Sequence, residues 1–350
     1  MDRSNLGIGH LADLKRYIIR RLLQTLIIIL GISAITFFLS RVAPSDPAAL
    51  WVGIHAKAEQ IERARVELGL DKPLYEQYFI YMGDLVQGSW GTSYRTRRPV
   101  LEDLLSYLPA SLELAVLGQI IASAIGLPLG VIAASKKNTR TDHASRILAI
   151  AGVSIPVFWI GLLLQIIFSR TLGVLPIEGR LDTTIAMTSP IQKITGFYLI
   201  DSLATGNFVA FADASRHIVL PAIALASYSM GLALRMTRSS MIEILREKYL
   251  KTARAFGLPE NTIRFRYALK NAIVPTLMVM GISFSWSLTG AFLVEVIFNW
   301  PGLGTYVWRA ILAVDYPVIV GVSIIATLVI VTINLVLDLI QAWIDPRVRL

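Results

Sequence analysis

Six runs of apolar residues, each near the length a helix needs to cross a bilayer, constrain this 350-residue chain more than any other feature. About 20 such residues span the hydrocarbon core. The runs are Leu22 to Ser40, Ala110 to Ala134, Ile147 to Phe168, Ile218 to Leu234, Val274 to Phe298 and Pro317 to Ala342. The fourth is the shortest. Pro128, Pro156, Pro221, Pro275 and Pro317 fall in or beside the runs, which lipid tolerates where neighbouring helices satisfy the freed carbonyls. The first run follows Arg16, Arg20 and Arg21 as a secretory signal would. It is too long for a typical signal core and no small-x-small site follows, so it reads as an uncleaved span. A hydrophobic fraction of 55%, a charged fraction of 16% and a mean hydropathy of +0.61 exclude an ordinary soluble domain. The expected fold is an all-α integral membrane protein with six transmembrane helices.

Charge distribution sets the orientation. Nine of the 33 lysines and arginines lie between Arg235 and Lys270, five precede Leu22, four lie between Lys136 and Arg146, and two close the chain. Only seven acidic residues share that side, whereas the other side carries 13 basic and 14 acidic residues. Short basic loops stay cytoplasmic, so both termini are expected there. The expected divisions are a cytoplasmic segment (1–21), a first transmembrane helix (22–40) and a long extracytoplasmic loop with short helices (41–109). A five-helix core (110–342) containing the cytoplasmic loop 235–273 follows, then a cytoplasmic tail (343–350). Sidedness accounts for the net charge of +9, and no nucleic-acid partner is expected.

Several chemistries are excluded. The chain has no cysteine, and His10, His55, His143 and His217 are scattered without a second ligand at metal-like spacing. No Gly-Lys dipeptide occurs, so there is no P-loop, and no nucleophile–base pair suggests an enzyme.

In the first outer loop, Ala56 to Leu68 reads as a helix ending at Gly69, and Asp71 and Pro73 open another through Tyr75, Tyr78, Phe79 and Met82. Those aromatics are expected to pack onto the membrane domain. The segment Ser169 to Arg216 is expected to be irregular. Gly126 and Gly130 read as a close helix contact. Ser283, Ser285, Trp286, Ser287 and Thr289 are read as a polar stripe on the fifth span, a candidate path lining, with Gln119, Ser123, Ser154 and Gln165 facing the same cavity. Helix packing is the competing reading. Glu295 and Asp338, costly near hydrocarbon, are functional candidates by default. Glu295 is placed near an outer mouth, beside a turn of Asn299, Trp300, Pro301 and Gly302 that is a candidate gate.

The segment Tyr249 to Pro275 contains Thr252-Ala253-Arg254-Ala255, Gly257, Ala268-Leu269, Asn271-Ala272 and Pro275. It resembles the cytoplasmic coupling loop of ABC importer permeases in the dipeptide and oligopeptide branch. The resemblance runs almost end to end, through Ala43-Pro44-Ser45-Asp46-Pro47, Leu68-Gly69-Leu70-Asp71, Pro109-Ala110-Ser111-Leu112-Glu113, Thr195-Gly196-Phe197-Tyr198 and Glu295 to Gly304. Lys251-Thr252-Ala253 stands where the general motif has Glu-Ala-Ala, and Gly88-Ser89-Trp90-Gly91 replaces a Gly-Asp-Leu-Gly tetrad.

The resemblance implies two short helices broken near Gly257, docking into a cleft on an ATP-hydrolysing subunit. Lys251, Thr252, Ala253, Arg254, Ala255, Phe256, Gly257, Leu258 and Asn271 are its implied docking residues. Ala253, Ala255 and Phe256 would supply small and apolar contacts, and Lys251 and Arg254 charge. It further implies a second homologous permease, two ATP-binding subunits carrying ATP and Mg, and an extracytoplasmic solute-binding protein. No cofactor is expected on this chain itself, whose other surroundings are membrane lipid. The cargo would be dipeptides or oligopeptides, with oligosaccharides or nickel chelates as alternatives. An autonomous secondary transporter is the competing class, and would predict internal repeats and intramembrane charge relays.

Overall fold

A computed structural model of the chain describes residues 19–21, 23–38, 46–53 and 56–344. Expectations placed on residues 1–18, 22, 39–45, 54–55 and 345–350 lie outside the described residues, as does the side chain of Thr289. The described residues form helices α1 (Ile19–Phe38), α2 (Pro47–Val52), α3 (Ala58–Glu67), α4 (Leu74–Val86) and α5 (Val100–Ser135). Then come α6 (Arg140–Ser154), α7 (Val157–Leu164), α8 (Thr183–Thr188), α9 (Tyr198–Ala204), α10 (Phe208–Ile244) and α11 (Lys248–Ala255). The last are α12 (Glu260–Thr262), α13 (Leu269–Ile297), α14 (Leu303–Leu312) and α15 (Tyr316–Ile344). Wider π turns extend α7 over Gln165–Thr171 and join α12 to α13 over Ile263–Ala268. No strand forms among the described residues.

Five stretches are long and apolar enough to cross a membrane: α1, α5, α10, Glu260–Ser287 and Tyr316–Leu339. A sixth exists only as a bent pair, α6 with α7 and its π turn, whose axes meet at 107°. The run Ile147 to Phe168 is thus not one continuous helix but two, broken between Ser154 and Val157. Ile155 is extended, with φ −82° and ψ 128°, because Pro156 has no N–H and disfavours helical geometry in the residue before it. The expectation of an irregular Ser169–Arg216 segment is also corrected. Asp182 caps α8 by accepting from the Thr184 N–H, and Asn207 caps α10 by accepting from the Ala210 N–H.

The chain divides into two compact units, one formed by Met1–Leu108 with Thr305–Thr332, the other by Pro109–Gly304 with Ile333–Arg349. In the first, α4 packs on α1 through aromatic rings. Phe37 contacts Tyr78 edge-on at 5.4 Å and stacks on Tyr81 at 5.6 Å. Tyr75 and Phe79 do not share that contact and remain 65% and 69% exposed, so of the three aromatics expected to pack only Tyr78 does, joined by Tyr81. Pro73 takes the capping position expected of Asp71. The fully buried Asp315 accepts from the Ser93 hydroxyl at 2.5 Å and the Arg95 N–H at 3.1 Å, fixing the turn before α5.

In the second unit α10 is the axis. It packs against α5, α6, α7 and α13, and one apolar cluster joins Leu114 of α5, Leu220 and Leu225 of α10, Val294 of α13, and Phe298 and Trp300 just beyond it. A second cluster joins Val131 of α5, Met241 of α10, Leu250 of α11 and Ile263. Small residues permit the close approaches. A Cβ at Gly126 would lie 3.0 Å from Ala233 Cβ, one at Gly130 2.6 Å from Thr237 Cβ, and one at Gly152 2.6 Å from the Ser227 carbonyl oxygen. The Gly-xxx-Gly pair on α5 therefore packs as expected.

Gly152→Leu should force α6 off α10, costing about 1–3 kcal/mol as overpacking does. A lowered thermal midpoint of the purified protein would report it. Gly83→Ala on α4, where a Cβ meets nothing within 4 Å, is expected to leave the midpoint unchanged or higher.

Candidate functional site

Helix α10 passes into α11 through only Leu245 to Glu247. Leu250 points inward and is fully buried, and Ala253 packs beside the same cluster. Lys251, Thr252, Arg254 and Ala255 are exposed around it. Gly257 closes the helix with φ +74°, the Gly257 N–H donating to Arg254 O and the Leu258 N–H reaching back to Ala253 O. This is a left-handed helix stop that a Cβ would strain, although nothing lies within 4 Å to block one. The stop turns Phe256 outward, leaving it 81% exposed. Pro259 and Glu260 then open α12.

Two contacts brace the elbow. Arg254 Nε donates to Glu260 Oε1 at 2.8 Å, so one of the expected docking charges is partly spent within the loop. Asn271 Nδ2 donates to the Tyr249 hydroxyl at 2.8 Å, tying α13 to α11. The result is a protruding aromatic on a basic, internally braced turn.

At the other end of α13, Glu295 is 1% exposed. Its carboxylate accepts from the Ser111 hydroxyl at 2.6 Å and the Gly304 N–H at 2.7 Å, and Ser111 Oγ accepts the Leu303 N–H at 2.8 Å. The Trp300 ring is buried, donating from Nε1 to Ala110 O at 2.9 Å, whereas Asn299, at φ +44°, is exposed. Pro301 and Gly302 complete a turn wrapped around this carboxylate. A Cβ at Gly302 would sit 2.5 Å from Glu295 Cδ. Placing Glu295 on an open path is corrected by its burial: the acid sits inside the turn.

Sequence reasoning missed what anchors the neighbouring loop. Glu113 is buried and ion-paired to the buried Arg180, whose Nη2 also donates to Gly196 O at 2.8 Å. Glu113 accepts the Leu199 N–H at 2.8 Å, and Arg180 lies over the Tyr198 ring at 3.7 Å. Asp201 gathers the N–H groups of Ile194, Thr195 and Gly196 and the Thr195 hydroxyl. Burial pushes its carboxyl up, but the Thr195, Gly196 and Ile194 hydrogen bonds outweigh that and hold it below the usual aspartate value. Only the Ser111-Leu112-Glu113 and Thr195-to-Asp201 strings hinted at these roles, and nothing in the sequence paired Glu113 with Arg180.

The polar stripe expected on α13 is corrected, because alternate residues on a helix point to nearly opposite sides. Ser283 is 2% exposed and meets the Ser229 hydroxyl at 2.7 Å, and Ser229 donates to Gln119 Oε1 at 2.9 Å. Ser285 instead donates to Asn334 Oδ1 at 2.6 Å. Ser287 bonds its own helix at Phe284 O, and Trp286 is 69% exposed. Gln165 donates to Ile177 O and Ile297 O, and Ser154 is exposed at the α6 end, so neither joins a common cavity. Gln119 and Ser123 do share one, an open groove of about 480 Å3 with Val116, Ile120, Leu127 and Phe284.

Among the described residues, an all-α scaffold with five helices long and apolar enough to cross a membrane, and a basic elbow between two of them, defines a membrane component. The chain belongs to the family described as "Binding-protein-dependent transport system inner membrane component", matched over residues 126–350. Residues 14–115 match its companion, "Binding-prot-dependent transport system membrane comp, N-term". It is 44% identical over 322 residues to the "Probable D,D-dipeptide transport system permease protein DdpB" of Escherichia coli K12, covering 92% of this chain and 94% of that one. It is 43% identical over 335 residues to the "Di/tripeptide transport system permease protein DppB" of Pseudomonas aeruginosa UCBPP-PA14, covering 95% and 98%. To the "Glutathione transport system permease protein GsiC" of Escherichia coli O1:K1 it is 34% identical over 333 residues, covering 95% and 98%. It is a multi-pass cell-membrane protein and the permease component of an ABC importer.

Two outcomes follow from these clusters. Glu295→Ala strands the Ser111 hydroxyl and the Gly304 N–H, and should cost on the order of 1–3 kcal/mol in the denaturant midpoint of the purified protein. Asp201, with its folded value lowered, contributes stability that is complete above the unfolded-chain value of about 3.9. That contribution is lost as pH falls through the lower folded value. Asp201→Asn is therefore expected to flatten the acid side of the stability profile, read as thermal midpoints from about pH 6 down to pH 3.

Proposed function

We propose that the chain forms one half of the translocation path of an ATP-driven importer for short peptides. The observation that carries this reading is the elbow. An aromatic side chain, Phe256, stands clear on a glycine stop, while Leu250 roots the same helix in the permease. Such a knob fits a cleft on a cytoplasmic subunit, and Lys251, Thr252, Ala253, Arg254, Ala255 and Leu258 form its shoulders. Asn271 positions the elbow rather than touching the partner. The basic charge of the 235–273 loop supports a cytoplasmic location, and in this reading an even number of crossings keeps both termini on that side.

The partners in this reading are a second homologous permease, two subunits that bind ATP and Mg, and an extracytoplasmic solute-binding protein. ATP-driven closure of those subunits draws the elbows together and turns the groove lined by Gln119, Ser123 and Phe284 outward. Ser283 and Ser285 hold helices together. Glu295 shapes the outer turn, at which Asn299 is the exposed group. Peptide cargo is supported by relatives whose names specify D,D-dipeptide and di- or tripeptide transport.

The test is purification of tagged chain from its native membranes, with identification of stoichiometric partners and labelled-dipeptide uptake after reconstitution. Recovery of P-loop subunits, reduced at least tenfold by Phe256→Glu or Gly257→Trp while folded permease persists, is expected. A chain that comes out alone and moves solute without ATP would sink the proposal.

A further inference from the structure

Helix α4 carries an apolar face that the fold leaves uncovered. Tyr75, Phe79 and Val86 are 65%, 69% and 81% exposed, and Met82 lies between them. Their spacing of four, three and four residues puts them in one narrow stripe. An adjoining face, with Tyr78 and Tyr81, packs on α1. The side away from both carries Glu76 and Asp84, with Ile80, 43% exposed, between them. Three sectors thus run along one helix: protein-facing, apolar and charged.

The depth of α4 says what the apolar sector meets. Tyr78 Oη donates to Leu30 O at 3.3 Å and lies 3.0 Å from Ser33 Oγ, and its ring stacks on Phe38 at 5.8 Å. All three partners belong to the last nine described residues of α1, Leu30 to Phe38. At about 1.5 Å per residue, that contact runs roughly 12 Å along the span. A helix held against the side of a membrane span along this length shares the lipid that surrounds the span. The lipid-facing side of α1 continues the apolar surface through Leu26, Ile27, Leu30 and Ile35, each at least 41% exposed.

We propose that α4 lies in the leaflet at the C-terminal end of α1, with Tyr75, Phe79, Met82 and Val86 immersed among acyl chains and Glu76 and Asp84 facing water. It is an interfacial helix, stapled sideways to a spanning one. Its polar N-terminal end suits that position: Lys72 pairs with Glu76 at 3.3 Å, and Gln77 Nε2 folds back onto Lys72 O at 2.7 Å. Aromatic rings with one wet edge are favoured at this depth. The inference depends on the membrane fold and is independent of the cargo.

The absence of cysteine from the chain makes the test direct. Single cysteines at Phe79, Val86, Asp84 and Glu62, with Tyr75 as a second stripe position, are labelled with bimane in the complex purified from native membranes. The complex is reconstituted into phosphatidylethanolamine–phosphatidylglycerol vesicles holding a fraction of acyl-chain nitroxide lipid, or given iodide on both faces. Labels at Phe79→Cys and Val86→Cys are expected to be quenched several-fold more by nitroxide lipid than the label at Glu62→Cys, with the reverse order for iodide. Asp84→Cys should follow Glu62→Cys. Iodide quenching of the stripe labels equal to that at Glu62→Cys would overturn the proposal by placing the stripe in water. Protection of the stripe labels from both quenchers would overturn it by showing a protein partner over α4. Should Phe79→Cys fail to assemble, Tyr75→Cys gives the same reading.

Discussion

Close backbone contact along α10 is the constraint on which the second unit depends. Lipid tails are as apolar as leucine side chains, so helices in a bilayer gain little by hiding greasy surface from one another. What holds them is dispersion at short range, which needs small residues at the contact. Helix α10 supplies Ala222, Ala224, Ala226, Gly231 and Ala233 there, all buried. The partner helices answer with Gly126, Gly130 and Gly152, each so close that an added methyl group would meet α10. With α5, α6, α7 and α13 all leaning on one rod, displacing α10 displaces the whole unit.

A surface of alanine and glycine brings helices close but sets their register weakly, since it lacks interlocking side chains. Buried charge does that second job. Asp142 is fully buried and bound bidentately by Arg238, at 2.6 Å from Nε and 2.8 Å from Nη2, and also accepts the Asn138 N–H at 2.9 Å. An ion pair out of water gains little net stability, because desolvation offsets the attraction. Its geometry is demanding, however, and a fork of two parallel hydrogen bonds fixes the rotation of α10 against α6. Glu113 with Arg180 does the same for the loop before α10, and Glu295 for the turn after α13.

The same residues explain what the sequence made legible. Spans announced by long aliphatic runs, such as Pro317 to Ala342, could be read directly, because lipid exposure demands uniform greasiness. The run Ile218 to Leu234 read as the shortest, although α10 is 37 residues long and the most buried span. Burial against protein removes the need for aliphatic bulk, and small residues dilute the signal that identifies a span. The elbow was legible at Gly257, where one backbone angle leaves a compositional trace. Long-range pairs were not: Glu113 and Arg180 are 67 positions apart, Ser111 and Glu295 are 184 apart, and no local pattern links them. Pro156 was visible, but whether a proline bends a span or breaks it depends on neighbours that satisfy the freed carbonyls.

The elbow gains mechanical meaning from its two stems. One is α10 itself, three residues away; the other is α12, continued through a π turn into the 29-residue α13. At about 1.5 Å per residue, α13 carries a displacement roughly 40 Å, from Asn271 beside the elbow to Glu295 inside the far turn. Because the Glu295 carboxylate holds Ser111 and Gly304 directly, the turn has to follow the end of α13 or surrender buried hydrogen bonds. The π turn over Ile263–Ala268 is the least regular part of this route, and its extra residue per turn is where helical geometry yields most easily. If a partner docks at Phe256 as proposed, its force would reach the far turn through a rod that is stiff along most of its length and yielding next to the point of application.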